Sequence, residues 1–166
     1  MFRPIQRKDQ ALSKEETLAI VKRGTHGVLA LLGDQDYPYS LPLSYLFREG
    51  KFYFHTAKAG HKIDALKNSD KASFCIVDQD QVVPEEFTSY FRSAIAFGRI
   101  SILEDPQEKR EAILLLSKRY YPGASKEEVD RCMTGSFDQM DILVLEVEDL
   151  KGKEAIELVR EKKAQA

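Results

Sequence analysis

The chain has 166 residues, 43% of them hydrophobic and 31% charged, and 25 Lys and Arg against 27 Asp and Glu give a formal net charge of −2. That length and balance suit one soluble globular domain with a substantial core, and they argue against a protein built mainly to grip nucleic acid phosphates. No apolar run approaches the roughly 18 residues that span a bilayer. The charged opening MFRPIQRKDQ lacks the apolar core of a secretory signal, so a cytoplasmic location is the expectation.

In chain order, ALSKEETLAIVKRG carries a helix signature. Ser13 caps its start, Glu16 completes an S-x-x-E capping box, and Gly24 ends it, with Leu12, Leu18, Ile20 and Val21 as candidates for the buried face. HGVLALL reads as a buried strand and GDQDYP as the turn after it. YSLPLSYLF resumes extended structure, in which Pro42 cannot donate to a ladder and so belongs at a bulge, a sheet edge or a ligand-facing interruption. REG turns the chain into KFYFH.

A helix over residues 61–68 leads to the strand KASFCIVD, and QDQVVPEEFTS, polar at both ends with Pro84 inside, reads as a loop. YFRSAIAFGRISILE is long and β-rich, and Gly98 marks a bend or a close backbone approach. Asp105 and Pro106 start the next helix, with Glu108 as capping acid, and Pro122 and Gly123 end it. SKEEVDRCMTG reads as a short helix, MDILVLEVEDL as a final strand, and the charged tail at 151–166 as partly helical or frayed. About six strands with interspersed helices, some strand pairs joined by turns, favour a mainly antiparallel barrel with peripheral helices, an α+β arrangement. Neither GxGxxG nor a P-loop is present.

Cys75 lies in the apolar run ASFCIVD and reads as a buried structural thiol, while Cys132, in EEVDRCMTG, reads as more exposed. They form neither a CxxC pair nor a disulfide framework, and no activating partner points to a nucleophile. The three histidines, His26, His55 and His61, do not match zinc-site spacings, so no metal is expected. His55 and His61, six apart across a loop, are placed to converge on one small site.

KFYFHTAKAGHKIDAL, residues 51–66, joins an aromatic strand to a small-residue loop and then a helix that opens on GHK. A helix N-terminus presents free N–H groups and a positive dipole end, and Lys62 adds a full charge, which together make an anion site. A hairpin followed by an exposed basic helix start fits the same spacing.

YPYSLPLSYLFREGKFYFHTAKAGHKIDALKNSDKASFCIVD, followed by YFRSAIAFGRISILEDPQEKREAILLLSKRYYP, resembles the flavin-binding split-barrel group that contains pyridoxamine 5′-phosphate oxidase. Within that group it is most similar to the branch of 5-nitroimidazole resistance proteins. The blocks PLSY, FHTAKAGHK and SAIAFGRISILED, in this order, carry the resemblance, which runs from about Ser13 to Leu150. It implies a single domain over 1–166 with its core at about 13–150, folded as a six-stranded antiparallel split β-barrel. It also implies a homodimer with FMN at the subunit interface.

By the same resemblance, His61 and Lys62 take the place of basic phosphate ligands, and Thr56 that of a phosphate-contacting hydroxyl. His55 lines the cofactor, Pro42, Leu43, Ser44 and Tyr45 form the segment whose backbone edges the flavin ring, and Ser93 is a polar cofactor contact. His61 stands where the oxidase commonly has arginine, which makes the phosphate grip pH-dependent. A lysine-rich tail replaces the oxidase's C-terminal substrate signature, so pyridoxamine phosphate oxidation is not the implied activity. The implied activity is an FMN-dependent oxidoreductase reducing small nitroaromatic or quinone-like compounds. The alternative is a non-enzymatic binder of flavin or haem on the same fold.

Overall fold

The computed structural model describes residues 1–165, with side-chain surroundings described for all of these except 132, 135 and 136. Cys132 therefore lies outside the described side chains. Helix α1 (Lys14–Arg23) begins as its sequence dictates: the Ser13 hydroxyl accepts from the Glu16 N–H, and the Glu16 carboxylate accepts from the Ser13 N–H. Strand β1 (His26–Leu32) alternates cleanly, with Gly27, Leu29 and Leu31 buried and their neighbours outward. It is followed by β2 (Pro38–Ser44), β3 (Leu46–Arg48), β4 (Lys51–Ala57), α2 (His61–Asn68), β5 (Lys71–Val83) and β6 (Thr88–Ile102). Helices α3 (Pro106–Tyr120) and α4 (Lys126–Ser136), strand β7 (Met140–Glu154) and helix α5 (Ile156–Gln165) complete the chain.

The strands form one antiparallel sheet in the order β2-β1-β5-β6-β7-β4-β3. The sheet thus has seven strands in an open ladder, where the sequence led to an expectation of six in a barrel. The extra strand comes from YSLPLSYLF, which breaks at Tyr45 into β2 and β3 at opposite edges. Because a single residue joins those edges, the sheet curls until they meet there.

Tyr120 on α3 holds the break: its hydroxyl accepts from the Tyr45 N–H (2.9 Å) and lies 2.8 Å from the Tyr45 carbonyl oxygen. The backbone groups of Tyr45 that would otherwise extend a ladder are therefore already satisfied. Pro42 sits on an edge strand, opposite Val28, where its missing donor leaves no ladder partner stranded.

Inside the curl, Tyr45, Phe52, Phe54 and Phe74 form an aromatic cluster with centroid spacings of 4.9–6.2 Å. Gly98 permits the close approach that its sequence context called for: a Cβ there would lie 1.9 Å from the Glu146 carbonyl oxygen. A second cluster forms outside the curl, where Ala112, Ile113 and Leu116 of α3 and Met133 of α4 pack on Ile142 and Val144 of β7.

Two other segments differ from their expectations. QDQVVPEEFTS is not a loop; β5 and β6 stay paired to Val83 and Thr88, and only Pro84–Phe87 turns. Strand β7 runs to Glu154, and the tail continues as α5, anchored by the buried Leu158 and Val159. Buried Glu154 receives Arg92 (3.0 Å) and Lys162 (2.7 Å), and Lys162 also reaches Glu16 of α1 (2.6 Å). Opposite charges around a buried carboxylate hold the tail to the sheet.

Candidate functional site

The segment expected to hold an anion lies where β4 ends and α2 begins. Gly60 precedes α2 at φ 117°, a backbone region that L side chains rarely enter, and no atom lies within 4 Å of where its Cβ would stand. Ile63 and Asp64 both donate to the Gly60 carbonyl, whereas the N–H groups of His61 and Lys62 meet no acceptor among the described residues. Lys58 and Lys62 are likewise without a carboxylate partner among the described residues. Unpaired donors, open space and free positive charge therefore coincide at one helix start.

His61 is braced rather than free. Its ring stacks on Tyr39 of β2, with centroids 3.9 Å apart and planes at 20°, and Nε2 lies 3.7 Å from Asp34 in the β1–β2 turn. Tyr39 and Asp34 carry no motif, and neither emerged from the sequence. Their only signal is position, in a turn and a strand that pack beside α2.

Strand alternation separates the other candidates. On β4, Phe52, Phe54 and Thr56 face the core, whereas Tyr53 and His55 face out. Thr56 is buried and its hydroxyl donates to the Ala57 carbonyl (3.1 Å). His55 is exposed, opposite Ile142 of the wall that α3 and α4 cover, whereas His61 stacks on Tyr39 of β2. Leu43 packs against the core. Tyr45 is wholly buried, its phenol donates to the Val21 carbonyl (2.7 Å), and burial pushes its pKa up to about 12.

Pro42, Ser44 and Ser93 project outward instead, from β2 and β6. Between them the cross-strand pairs Pro42–Val28, Val28–Cys75 and Cys75–Ile95 lay an apolar row across four strands. Among the described residues no helix covers this row or Val77 beside it: Val28 is 41% exposed, Val77 60% and Ile95 37%, while Phe97 beyond them is met by the stacked Phe2 ring, 5.6 Å away. Cys75 belongs to the row, half-buried and outward, and is not the interior thiol its apolar context implied, because Phe74 and Ile76 take the inward positions. Burial raises the Cys75 thiol pKa, so it stays protonated at neutral pH.

A groove of about 820 Å³ lies elsewhere, between the N-terminal segment, α1 and β7, with Leu12, Leu18, Phe47, Val147 and Leu150 in its walls. None of the residues expected to hold a cofactor lines it. Among the described residues no helix is long and apolar enough to cross a membrane, and no three His, Cys, Asp or Glu side chains gather as a metal cage requires.

With this geometry in place, residues 13–154 match the protein family described as pyridoxamine 5′-phosphate oxidase. The chain belongs to that family. The resemblance carried by PLSY, FHTAKAGHK and SAIAFGRISILED is borne out. No curated protein matches the sequence. Among solved structures, the fold is shared with a candidate 5-nitroimidazole antibiotic resistance protein of Bacteroides thetaiotaomicron, with 20% identity, a TM-score of 0.68, and 87% of this chain and 86% of that one covered. It is shared with an FAD-binding protein of Mesorhizobium loti, with 20% identity, a TM-score of 0.64 and coverages of 87% and 96%. It is also shared with an FAD- and haem-binding protein of Mycobacterium smegmatis, with 18% identity, a TM-score of 0.70 and coverages of 88% and 73%. At these identities the likeness speaks for the fold alone.

Proposed function

We propose that this pyridoxamine 5′-phosphate oxidase family member binds FMN on the bare outer face of its sheet and acts as an oxidoreductase on small nitroaromatic or quinone-like compounds in the cytoplasm. The observation that carries this reading is the start of α2, where backbone donors without acceptors, Gly60 in open space and two unpaired lysines coincide. That donor set fits a phosphate.

A bound flavin supplies the electron-transfer chemistry, and the protein supplies binding, orientation and electrostatics. Lys62 and the N–H groups of His61 and Lys62 hold the phosphate. Gly60 gives the anion an unobstructed approach. His61, its ring plane set by Tyr39, stands at the same helix start. Val28, Cys75 and Ile95 give a planar ring an apolar surface, and Ser93 offers a hydroxyl beside it. Thr56, buried and bonded to its own strand, positions the β4 end and does not touch the ligand in this arrangement.

A flat face covers only one side of a ring laid upon it. A homodimer with the cofactor between two such faces supplies the other side. The relatives that bind FAD make FAD a competitor for the same donors. Haem gains no support from the large groove, whose walls hold no His, Cys, Met or Tyr to ligate iron.

The test is an absorbance spectrum of purified protein followed by fluorescence titration with FMN, FAD and riboflavin. Lys62→Ala removes a charge-assisted contact of roughly 1.5–3 kcal/mol, so FMN affinity falls by roughly tenfold to a hundredfold while riboflavin binding hardly changes. Equal losses for FMN and riboflavin, or no loss for either, would remove the α2 start from the site.

A further inference from the structure

Strands β5 and β6 outrun their own sheet. β1 pairs with β5 only over Ser73–Cys75, and β7 pairs with β6 no further along than Arg92. Beyond Gln79–Arg92 lie four more β5–β6 pairs, ending at Val83–Thr88, which amounts to roughly 13 Å of two-stranded ribbon before the turn. Past Phe91, whose carbonyl accepts from Ala155, no backbone hydrogen bond ties the ribbon to the rest of the chain among the described residues. A bulge between Val77 and Gln79, pinned by the Arg23–Asp78 ion pair, sets its direction.

The ribbon continues the bare face. Along β6, residues 97, 95, 93, 91 and 89 share one side, and Val82 lies opposite Ser89 on that side. At the tip Phe87 is 98% exposed and Val82 68%. Phe87 also sits at φ 51°, ψ 39°, a left-handed conformation that disfavours bulky residues. An isolated chain gains nothing from a strained, solvated phenylalanine at the end of an arm, and such strain clusters at functional contacts.

Charge names the partner. The tip carries Glu85 and Glu86 with Asp80 behind them, while Lys153, without an ion pair among the described residues, stands opposite Ser93 on the outer face; its neighbour Lys151 is taken up by Asp149 (2.6 Å). Acidic tip and basic-edged apolar face are complementary parts of one surface, as a two-fold self-association requires.

We propose that the β5–β6 ribbon is an exchange arm, and that Phe87 at its tip packs on the cofactor face of a second copy and completes the site there. This rests on the reading that two such faces enclose FMN. It adds that each site takes its phosphate grip from one chain and its aromatic closure from the other.

Phe87→Gly is the informative variant, because glycine relieves the backbone strain while removing the ring. The variant chain should fold with an unchanged or higher denaturation midpoint, yet bind FMN roughly tenfold to a hundredfold more weakly and dimerise less tightly. Mixed dimers then separate trans from cis. Differently tagged Lys62→Ala and Phe87→Gly chains, co-expressed and purified through both tags, retain one intact grip and one intact arm. If the arm works in trans, the pair binds FMN at wild-type affinity with one site per dimer. If no wild-type-affinity site appears, or if Phe87→Gly alone binds FMN like wild type, the arm proposal is overturned while the dimeric FMN site stands. A wild-type chain that stays monomeric overturns both.

Discussion

One curled sheet presents two outer walls of different character. Over β4 and β7 the outward residues Tyr53, Ile142 and Val144 lie beneath α3 and α4 and form a second core. Over β1, β5 and β6 the outward residues Val28, Val77 and Ile95 are as apolar, and among the described residues no helix lies on them; Phe97, further along β6, is met by the stacked Phe2 ring of the N-terminal segment, 5.6 Å away. The strands on both walls obey the same alternation, so the difference does not arise in the sheet. It arises because residues 105–136 supply helices to one wall only. A wall covered within the chain contributes to folding. A wall left bare keeps its apolar surface for a ligand or a partner.

Substitutions on the two walls give the sharpest test of this contrast. Ile142→Ala, at a fully buried position of the covered wall, should cost about 2–4 kcal/mol of stability in urea denaturation. Ile95→Ala on the bare wall should cost the isolated chain less than about 1 kcal/mol, because much of its side chain is already hydrated. Comparable losses at both positions in a monomeric chain would erase the distinction.

At the start of α2, Gly60→Ala meets no neighbouring atom, so its cost is backbone strain alone, about 1–2 kcal/mol. The denaturation midpoint reads that strain. An unchanged midpoint would show that the loop before α2 relaxes to accept a side chain.

The smallest effect belongs to Cys75. With its thiol pKa raised by burial, Cys75 carries less thiolate than a free cysteine at every pH below that raised value. In a Cys132→Ser background, alkylation at pH 7–8 should be slower than that of a free thiol, and Cys75→Ser should leave stability within about 0.5 kcal/mol. Alkylation faster than that of a free thiol would point to an activating group beside the bare wall.

What the sequence revealed was local. Ser13 and Glu16 start α1, Asp105 and Pro106 start α3, and GHK opens α2 at its expected residue, because each signal lies within a turn of the structure it specifies. What it concealed was set at long range. YSLPLSYLF reads as one strand because its break at Tyr45 is made by Tyr120, 75 residues away. QDQVVPEEFTS reads as a loop because its polar residues and proline mask the pairing with Thr88–Arg92 that keeps it extended.

The candidate site divides in the same way. The end proposed to hold phosphate, Gly60 to Lys62, is contiguous, and its loop-to-helix form was legible. Its surroundings were not, since Tyr39 and Asp34 reach His61 only through the packing of α2 on β1 and its turn. Pro42 and Leu43, adjacent in sequence, face opposite ways because strand geometry sends alternate side chains to alternate faces.

The central claim is that the bare wall is where a second copy and the cofactor meet. Ile95→Asp places a charge in the middle of that wall without touching the α2 start, and light scattering combined with FMN titration reads both consequences. The account predicts a wild-type chain at about twice the 18.9 kDa chain mass that binds FMN, and a folded Ile95→Asp chain that runs as a monomer with FMN affinity reduced by at least about tenfold. An Ile95→Asp chain that remains dimeric and binds FMN like wild type would contradict it.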